Sequence, residues 1–143
     1  MDRKTFLTIV AVVATSIGAA ALFIPAPFLR EVKAAAPSET ANVMARTVGI
    51  LLLTVGVLNF LVRDHEDSPT LRAVCIANLF LQIGIMPIDP LAYVDGVYKS
   101  LGAFVPNTAL HFVLAAGFCF YLVQMGRNLK QVSASGAESL EAR

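Results

Sequence analysis

The sequence predicts an all-α integral membrane protein, built as an antiparallel up-down bundle of four transmembrane helices. Composition supports this fold class first, because 57% of the 143 residues are hydrophobic and 15% are charged, which is unusual for a soluble domain. The mean hydropathy of +0.70 agrees with this interpretation. The apolar residues are also gathered into four long runs, separated by prolines, polar residues and charges.

Each apolar run is close to the roughly 20 residues that a helix needs to cross the hydrocarbon core of a bilayer. The four predicted spans cover residues 6–24, 41–62, 71–88 and 104–125. A signal peptide is the alternative for the first run, since "MDRK" and "GAAA" resemble its charged start and its cleavage site. The first run is longer than the usual apolar core of a signal peptide, which favours a retained helix.

Capping residues mark the ends of the predicted helices. Ser38 can cap the second helix, and Ser68, followed by proline, is typical of the start of the third. Gly126, followed by arginine, is typical of the end of the fourth. We therefore expect one membrane domain over residues 1–126 and a flexible cytoplasmic tail over residues 127–143, which is small and polar.

The distribution of Lys and Arg predicts that both termini are cytoplasmic. With this orientation, the cytoplasmic side holds more of the basic residues than the outer side, as the positive-inside rule requires. The basic residues assigned to the outer side are Arg30, Lys33, Arg46 and Lys99. No block of basic residues occurs, so we expect no nucleic-acid partner.

Polar residues inside the second span recur at helical spacing. Arg46, Gly49, Gly56, Asn59 and Arg63 fall at steps of three, four and seven, which places them on one stripe. Lipid cannot satisfy an asparagine amide, and an arginine in hydrocarbon is costly, so we expect this stripe to face protein. Small residues predict close helix contacts at Ala14, Gly18, Gly49, Gly56 and Ala116.

The third and fourth spans carry matching polar faces. Asn78, Gln82 and Asp89 share one face of the third, together with Cys75, and Asn107 and His111 share a face of the fourth. In an antiparallel bundle, Asn59 and Asn78 would lie towards the cytoplasmic side and Gln82 near the middle. The outer group would contain Arg46, Asp89, Asn107 and His111.

Two interpretations of the outer group remain open. Asp89, His111 and Arg46 are candidate catalytic residues, because a carboxylate can orient a histidine while an arginine binds an anionic head group. The same three side chains could instead form a structural clamp. The candidate ligand-binding residues are Gln82, Asn107, Asn78 and Asn59, although the two deeper asparagines could simply hydrogen-bond between helices.

The connection between the third and fourth spans contains Tyr93, Tyr98 and Phe104. It is either an interfacial aromatic belt or a short helix that covers the outer group as a lid. Cys75 and Cys119 have no C-x-x-C spacing, so we expect buried free thiols. No metal-binding or cofactor-binding motif is present, and we expect neither a metal nor a cofactor.

Three stretches resemble a known family. "FIPAPF", "ARTVGILLLTVGVLNFLVRD" and "LRAVCIANLFLQ" are similar to segments of the small four-helix bacterial membrane proteins of the DoxX-like kind. The resemblance covers most of residues 5–126. It implies a multi-pass protein of the bacterial inner membrane, in families that are mostly uncharacterised or described as accessory subunits.

Two functions follow as hypotheses. In the first hypothesis, the bundle binds, and could chemically transform, a hydrophobic small molecule whose polar head lies near the Arg/Asp/His cluster at the outer face. Alternatively, the protein is a non-catalytic accessory or assembly subunit of a larger membrane complex. The expected partners are membrane lipids, such a ligand, and a membrane protein or a second copy of the chain. A transporter is disfavoured, because no carboxylate is predicted near the membrane midplane.

Overall fold

The computed structural model describes the backbone of residues 1–33 and 35–141, and the side chains of residues 1–33, 35–129 and 131. These residues form helices and turns and contain no β-strand. In chain order the elements are α1 (Arg3–Phe23), the single turn α2 (Pro25–Pro27), a π-helical turn (Phe28–Val32), α3 (Glu39–Val62), α4 (Pro69–Ile85), α5 (Ile88–Val94), a 3-10 turn (Leu101–Ala103) and α6 (Val105–Glu141).

The described residues contain four helical segments that are long and apolar enough to cross a membrane, as expected of a multi-pass membrane protein. They are α1, α3, α4 together with α5, and the first 25 residues of α6. The predicted all-α class and the number of long apolar helices are therefore confirmed. The third predicted span divides at the turn around Pro87, so that α5 is a separate short helix.

The predicted caps of the second and third long helices are confirmed. Ser38 Oγ accepts a hydrogen bond from the backbone N–H of Ala41 at 3.1 Å, and Ser68 Oγ accepts one from Leu71 at the same distance. Both hydroxyls satisfy a backbone donor that the first turn of a helix leaves without a partner. The two serines therefore set the first residues of α3 and α4.

The predicted end of the fourth helix at Gly126 is wrong, because the backbone stays helical as far as Glu141. A glycine inside a helix costs only about 1 kcal/mol relative to alanine. The residues that follow include alanine, leucine, lysine and glutamate, which favour helix, so the helix continues. The flexibility of this segment stays a prediction, and residues 142 and 143 lie outside the described residues.

Helices α1 and α3 pack closely and run antiparallel. A Cβ atom added to Gly18 would lie 2.8 Å from the backbone oxygen of Gly49, and one added to Gly49 would lie 2.7 Å from the backbone N of Leu22. Gly56 faces the backbone of Ala11 and the side chain of Thr15. The predicted glycine contacts are thus confirmed in this pair of helices.

The same prediction is wrong for Ala116. This alanine is exposed, and its neighbour Ala115 is buried instead. In α6 the close contact to α1 is made by Gly117, which lies against the ring of Phe6.

Helices α4 and α6 form the second antiparallel pair, and the two pairs meet at the end of the bundle where α1 begins, here called the amino-terminal end. Phe6 packs edge-on against Phe118, with their ring centroids 4.9 Å apart. Around this contact lies the buried apolar core, which contains Phe6, Leu7, Val10, Leu71, Cys75, Leu114, Phe118, Tyr121 and Met125. Burial of these side chains provides the apolar contact that joins the two pairs.

Polar contacts reinforce the amino-terminal end. Lys4 Nζ lies 2.7 Å from Asp64 Oδ1 in the α3–α4 loop, and the hydrogen bond from Lys4 lowers the pKa of that exposed carboxyl. Arg3 pairs with Asp67 and also donates to the carbonyl of His65. The loop is therefore fastened to the first turn of α1.

Candidate ligand cavity

A cavity of about 510 Å³ lies between the two helix pairs, on the side of the core away from the amino-terminal end. This size is within the range of small-molecule sites, which is roughly 300–1,000 Å³. Helices α1 and α3 contribute apolar side chains alone to the lining, including Val13, Ile17, Val48 and Leu52. The opposite side is mixed, and its polar members come from α4, α5, α6 and two connecting segments. The polar lining residues are Lys33, Gln82, Asp89, Tyr98, Asn107 and His111.

Asp89 is the centre of the polar group. Its side chain is 8% exposed, and its two carboxylate oxygens face three donors from three different segments. Asn107 Nδ2 donates to Oδ2 at 2.6 Å, Tyr98 Oη donates to Oδ1 at 3.2 Å, and Lys33 Nζ lies 3.4 Å from Oδ2. A buried carboxylate requires such partners, because burial without them would carry a large desolvation cost.

Tyr98 lies in the connection between α5 and α6 and is buried against Asp89. Burial of the phenol raises its pKa to about 12, and the negative charge of Asp89 and the hydrogen bond to it act in the same direction. The phenol therefore stays protonated, and continues to donate, up to strongly alkaline pH. The connection places an aromatic side chain on Asp89, but Tyr93 instead packs against Phe104, with ring centroids 5.2 Å apart.

His111 and Gln82 form a second polar contact on the same wall. His111 Nδ1 lies 2.5 Å from Gln82 Oε1. An amide oxygen can only accept, so Nδ1 carries the hydrogen, and in the neutral form of the ring Nε2 is then the nitrogen with a lone pair. No hydrogen-bond partner for Nε2 occurs among the described side chains, which leaves an acceptor on a residue that lines the cavity.

The predicted inward orientation is confirmed for six of the seven site residues, all except Arg46, and four of the six line the cavity. Asp89 and Gln82 are buried, and Asn107 and His111 are half-buried; all four line the cavity. Asn107 meets Asp89 directly, whereas His111 contacts Gln82 rather than the carboxylate. The outer group thus consists of two neighbouring contacts and not of a single triad.

The cation beside Asp89 is Lys33, and Arg46 is not part of the group. Arg46 is exposed, lies outside the lining and has no ion pair among the described residues. The buried stripe of α3 passes through Ala45, one residue earlier, and continues through Gly49 and Gly56. A shift of one residue turns a helical side chain by about 100°, which takes Arg46 to the outside.

Lys33 was not among the predicted site residues, because helical periodicity within the four apolar runs does not extend to the α1–α3 connection. The turn of α2 and the π-helical turn fold this segment back over the bundle, so that Phe28 is buried and Lys33 lines the cavity. The backbone N–H of Lys33 donates to the carbonyl of Phe28 at 3.2 Å, which is the i→i+5 hydrogen bond of a π-helix.

The two deeper asparagines bind each other instead of lining the cavity. Asn59 Nδ2 donates to Asn78 Oδ1 at 2.9 Å, and both side chains are almost completely buried. Asn59 follows the lining residue Val55 by one turn, and Asn78 precedes the lining residue Gln82 by one turn. The amide pair therefore lies just below the floor of the cavity and joins α3 to α4.

Four residues that line the cavity are also exposed on the surface of the bundle. Met44 and Val48 of α3, Ile88 of α5, and Val97 line the cavity and are each about half exposed. These four side chains mark an apolar rim between α3 and the α5 region. A rim of this composition is easier to cross for a molecule arriving from hydrocarbon than for one arriving from water.

No protein-family model matches the chain, and neither a curated protein nor a solved structure is significantly similar to it. The resemblance to DoxX-like proteins accordingly stays a prediction from sequence.

Proposed function

We propose that the protein binds a hydrophobic small molecule with a polar head group in the cavity between its two helix pairs. One observation carries this proposal: a cavity of about 510 Å³ has an entirely apolar wall on α1 and α3 and faces a set of polar side chains around buried Asp89. Ligand sites combine these features, since an apolar lining provides affinity and a few convergent polar groups fix the orientation.

The two walls indicate how such a ligand would lie. Its tail would contact Val13, Ile17 and Leu52, while its head would meet Lys33 and His111 on the other side. The apolar rim near Met44 gives the tail a route from the hydrocarbon phase without crossing water. The polar groups of this wall hydrogen-bond to one another, which fixes the orientation of their side chains towards the cavity.

We further propose that the bundle lies in a bacterial inner membrane with both termini cytoplasmic. Large apolar side chains on the outside of the long helices support insertion in lipid, among them Leu51, Leu61, Phe80, Phe112 and Phe120. The orientation is supported by the excess of Lys and Arg at the amino-terminal end. The cavity would then lie in the outer half of the membrane.

The proposal is tested by identifying what the purified protein carries. The protein is isolated in mild detergent, its small molecules are extracted, and mass spectrometry compares them with the lipids of the membrane from which it came. We expect one amphiphile to be enriched. Leu110→Trp, which fills the cavity from α6, should lose that molecule. Val113→Trp is the matched control, because Val113 is 63% exposed on the outside of the same helix and should keep it.

Bulk phospholipid in the same proportions from the wild type and both variants would contradict ligand binding. A membrane protein that co-purifies in fixed stoichiometry, without any enriched amphiphile, would instead support the accessory-subunit hypothesis.

A further inference from the structure

The charges around the cavity balance each other. Among the described lining residues, Lys33 and Asp89 are the charged ones, and Lys33 Nζ lies 3.4 Å from the carboxylate. Arg30 and Arg46, the nearest basic residues in sequence on the connection and on α3, are exposed and do not line the cavity. The site therefore presents one cation and one anion, already paired, to whatever enters it.

A charged head group would find no counter-charge of its own in this site. A phosphate, sulfate or carboxylate at Lys33 would share this one cation with Asp89 and give the site a net negative charge, and a cation at Asp89 would give it a net positive charge. In either case one charge is left without a counter-charge, which is unfavourable in a site of low dielectric constant. Net charge thus discriminates against both ionic classes of amphiphile.

The hydrogen-bonding groups that remain free match a hydroxyl. Lys33 has three N–H donors and uses one of them towards Asp89, which leaves donors for a ligand. His111 Nε2 has no partner among the described side chains and can accept. A hydroxyl donates one hydrogen bond and accepts others, so it can satisfy both kinds of group at once. A carbonyl could accept from Lys33 but could not donate to His111 Nε2.

We infer that the cavity selects an uncharged amphiphile whose head carries a hydroxyl, such as a long-chain or isoprenoid alcohol, and rejects anionic and cationic amphiphiles of the same tail. This inference rests on the proposed function and specifies its ligand class. Anionic phospholipids, fatty-acid anions and prenyl phosphates are excluded as occupants because each head group carries a net negative charge.

The test compares three ligands that share a twelve-carbon tail: dodecanol, dodecyl sulfate and dodecyltrimethylammonium. Dodecanol is titrated below its solubility limit, and the two ionic ligands below their micellar concentrations, into the protein in nanodiscs. Native mass spectrometry or calorimetry gives the affinity above that of empty nanodiscs. We expect the wild type to bind dodecanol at least about tenfold more tightly than either ionic ligand, which corresponds to about 1.4 kcal/mol.

Charge variants of the pair sharpen the test. Asp89→Asn leaves Lys33 unpaired and should shift the preference towards dodecyl sulfate, whereas Lys33→Met leaves Asp89 unpaired and should shift it towards dodecyltrimethylammonium. The double variant Lys33→Met/Asp89→Asn removes both charges and should again prefer dodecanol. Helicity by circular dichroism checks each variant, and if one single variant does not fold, the other single variant and the double variant still decide.

The possible failures are distinguishable. If the wild type binds none of the three ligands, both the proposed function and this inference are wrong. If it binds an ionic ligand as tightly as dodecanol, or if the single variants do not change the order of affinities, ligand binding stands and the inference of a neutral hydroxyl head is overturned.

Discussion

At the scale of single residues, the structure shows how a carboxylate can lie inside an apolar helical protein. Asp89 is held by donors from the α1–α3 connection, the α5–α6 connection and α6, namely Lys33, Tyr98 and Asn107. Each donor replaces a hydrogen bond that water would otherwise supply. Three segments far apart in sequence therefore depend on one side chain for their relative position at this end of the bundle.

The amide pair below the cavity makes a prediction at the same scale. Replacing Asn59 with leucine leaves the buried Asn78 without its partner, so we expect a loss of about 0.6–2 kcal/mol in the free energy of unfolding. Asn78→Leu should cost a similar amount. The double variant should cost less than the sum of the single variants, since it leaves neither amide unpaired. Unfolding in detergent, followed by circular dichroism, measures all three.

Exposed Thr54 provides the control for this cycle. Its hydroxyl donates to the carbonyl of Ile50 within the same helix, so Thr54→Val should leave the stability almost unchanged. Strictly additive losses at Asn59 and Asn78 would contradict direct coupling between the two amides.

At the scale of elements, the contact between α1 and α3 depends on glycine. The backbones approach so closely at Gly18 and Gly49 that no side chain fits between them. Without a hydrophobic driving force between helices in lipid, such close backbone packing is a major source of helix association. This closely packed pair forms one side of the cavity.

Substitution of Gly49 by a larger residue should therefore separate α1 from α3. We expect Gly49→Ala to destabilise the protein by about 1–3 kcal/mol, because the new methyl group would lie 2.7 Å from a backbone nitrogen that cannot move independently. Gly84→Ala in α4 is the matched control, since a Cβ there meets no atom within 4 Å. Thermal unfolding of both variants gives the comparison, and equal effects of the two substitutions would contradict close packing at Gly49.

The connecting segments are the elements that sequence patterns described least well. No path was predicted for the residues between the first two spans, and the π-helical turn places Phe28 and Lys33 at the cavity. Helical periodicity cannot reveal this, because it reports which residues share a face within one helix and not where a connection folds. The same limit explains why Tyr98 could be assigned either to an aromatic belt or to a lid.

At the scale of the whole molecule, the cavity results from how the two helix pairs meet. Buried aromatic and aliphatic side chains, with Phe6 and Phe118 at their centre, join the pairs at the amino-terminal end. On the side of the Asn59–Asn78 contact that faces away from the amino-terminal end, the lining side chains of α1 and α3 stay apart from those of α4 and α6. The space between them is large enough for a ligand.

The proposed orientation makes a prediction at this scale. Glu66 and Asp95 are exposed at opposite ends of the bundle, and each can be replaced with cysteine in a Cys119→Ala background, since the remaining Cys75 is buried. A thiol reagent that cannot cross the inner membrane is added to bacterial cells whose outer membrane has been permeabilised. It should label the cysteine at position 95. The cysteine at position 66 should be labelled only after lysis. The reverse pattern would contradict cytoplasmic termini, and labelling of both in intact cells would contradict a membrane crossing between them.

The prediction that both cysteines are buried is wrong for Cys119. Cys75 is buried in α4, but Cys119 lies on the exposed side of α6. An all-round apolar helix does not indicate from its sequence which face meets protein and which meets lipid, because the two environments favour similar side chains. The polar face of α4 was predictable, since lipid cannot satisfy Asn78 or Gln82.

The sequence by itself determined the class of this protein. Four apolar runs of spanning length require helices, because a backbone in hydrocarbon must satisfy its own hydrogen bonds, and the polar residues at three-residue and four-residue spacing in α4 had to turn inward. Only the tertiary structure decided which side chains meet. It paired Asp89 with Lys33 rather than Arg46, joined His111 to Gln82, and joined Asn59 to Asn78. These choices depend on helix rotation and on the folding of the connections, which arise from packing between segments and leave no periodic pattern within any one of them.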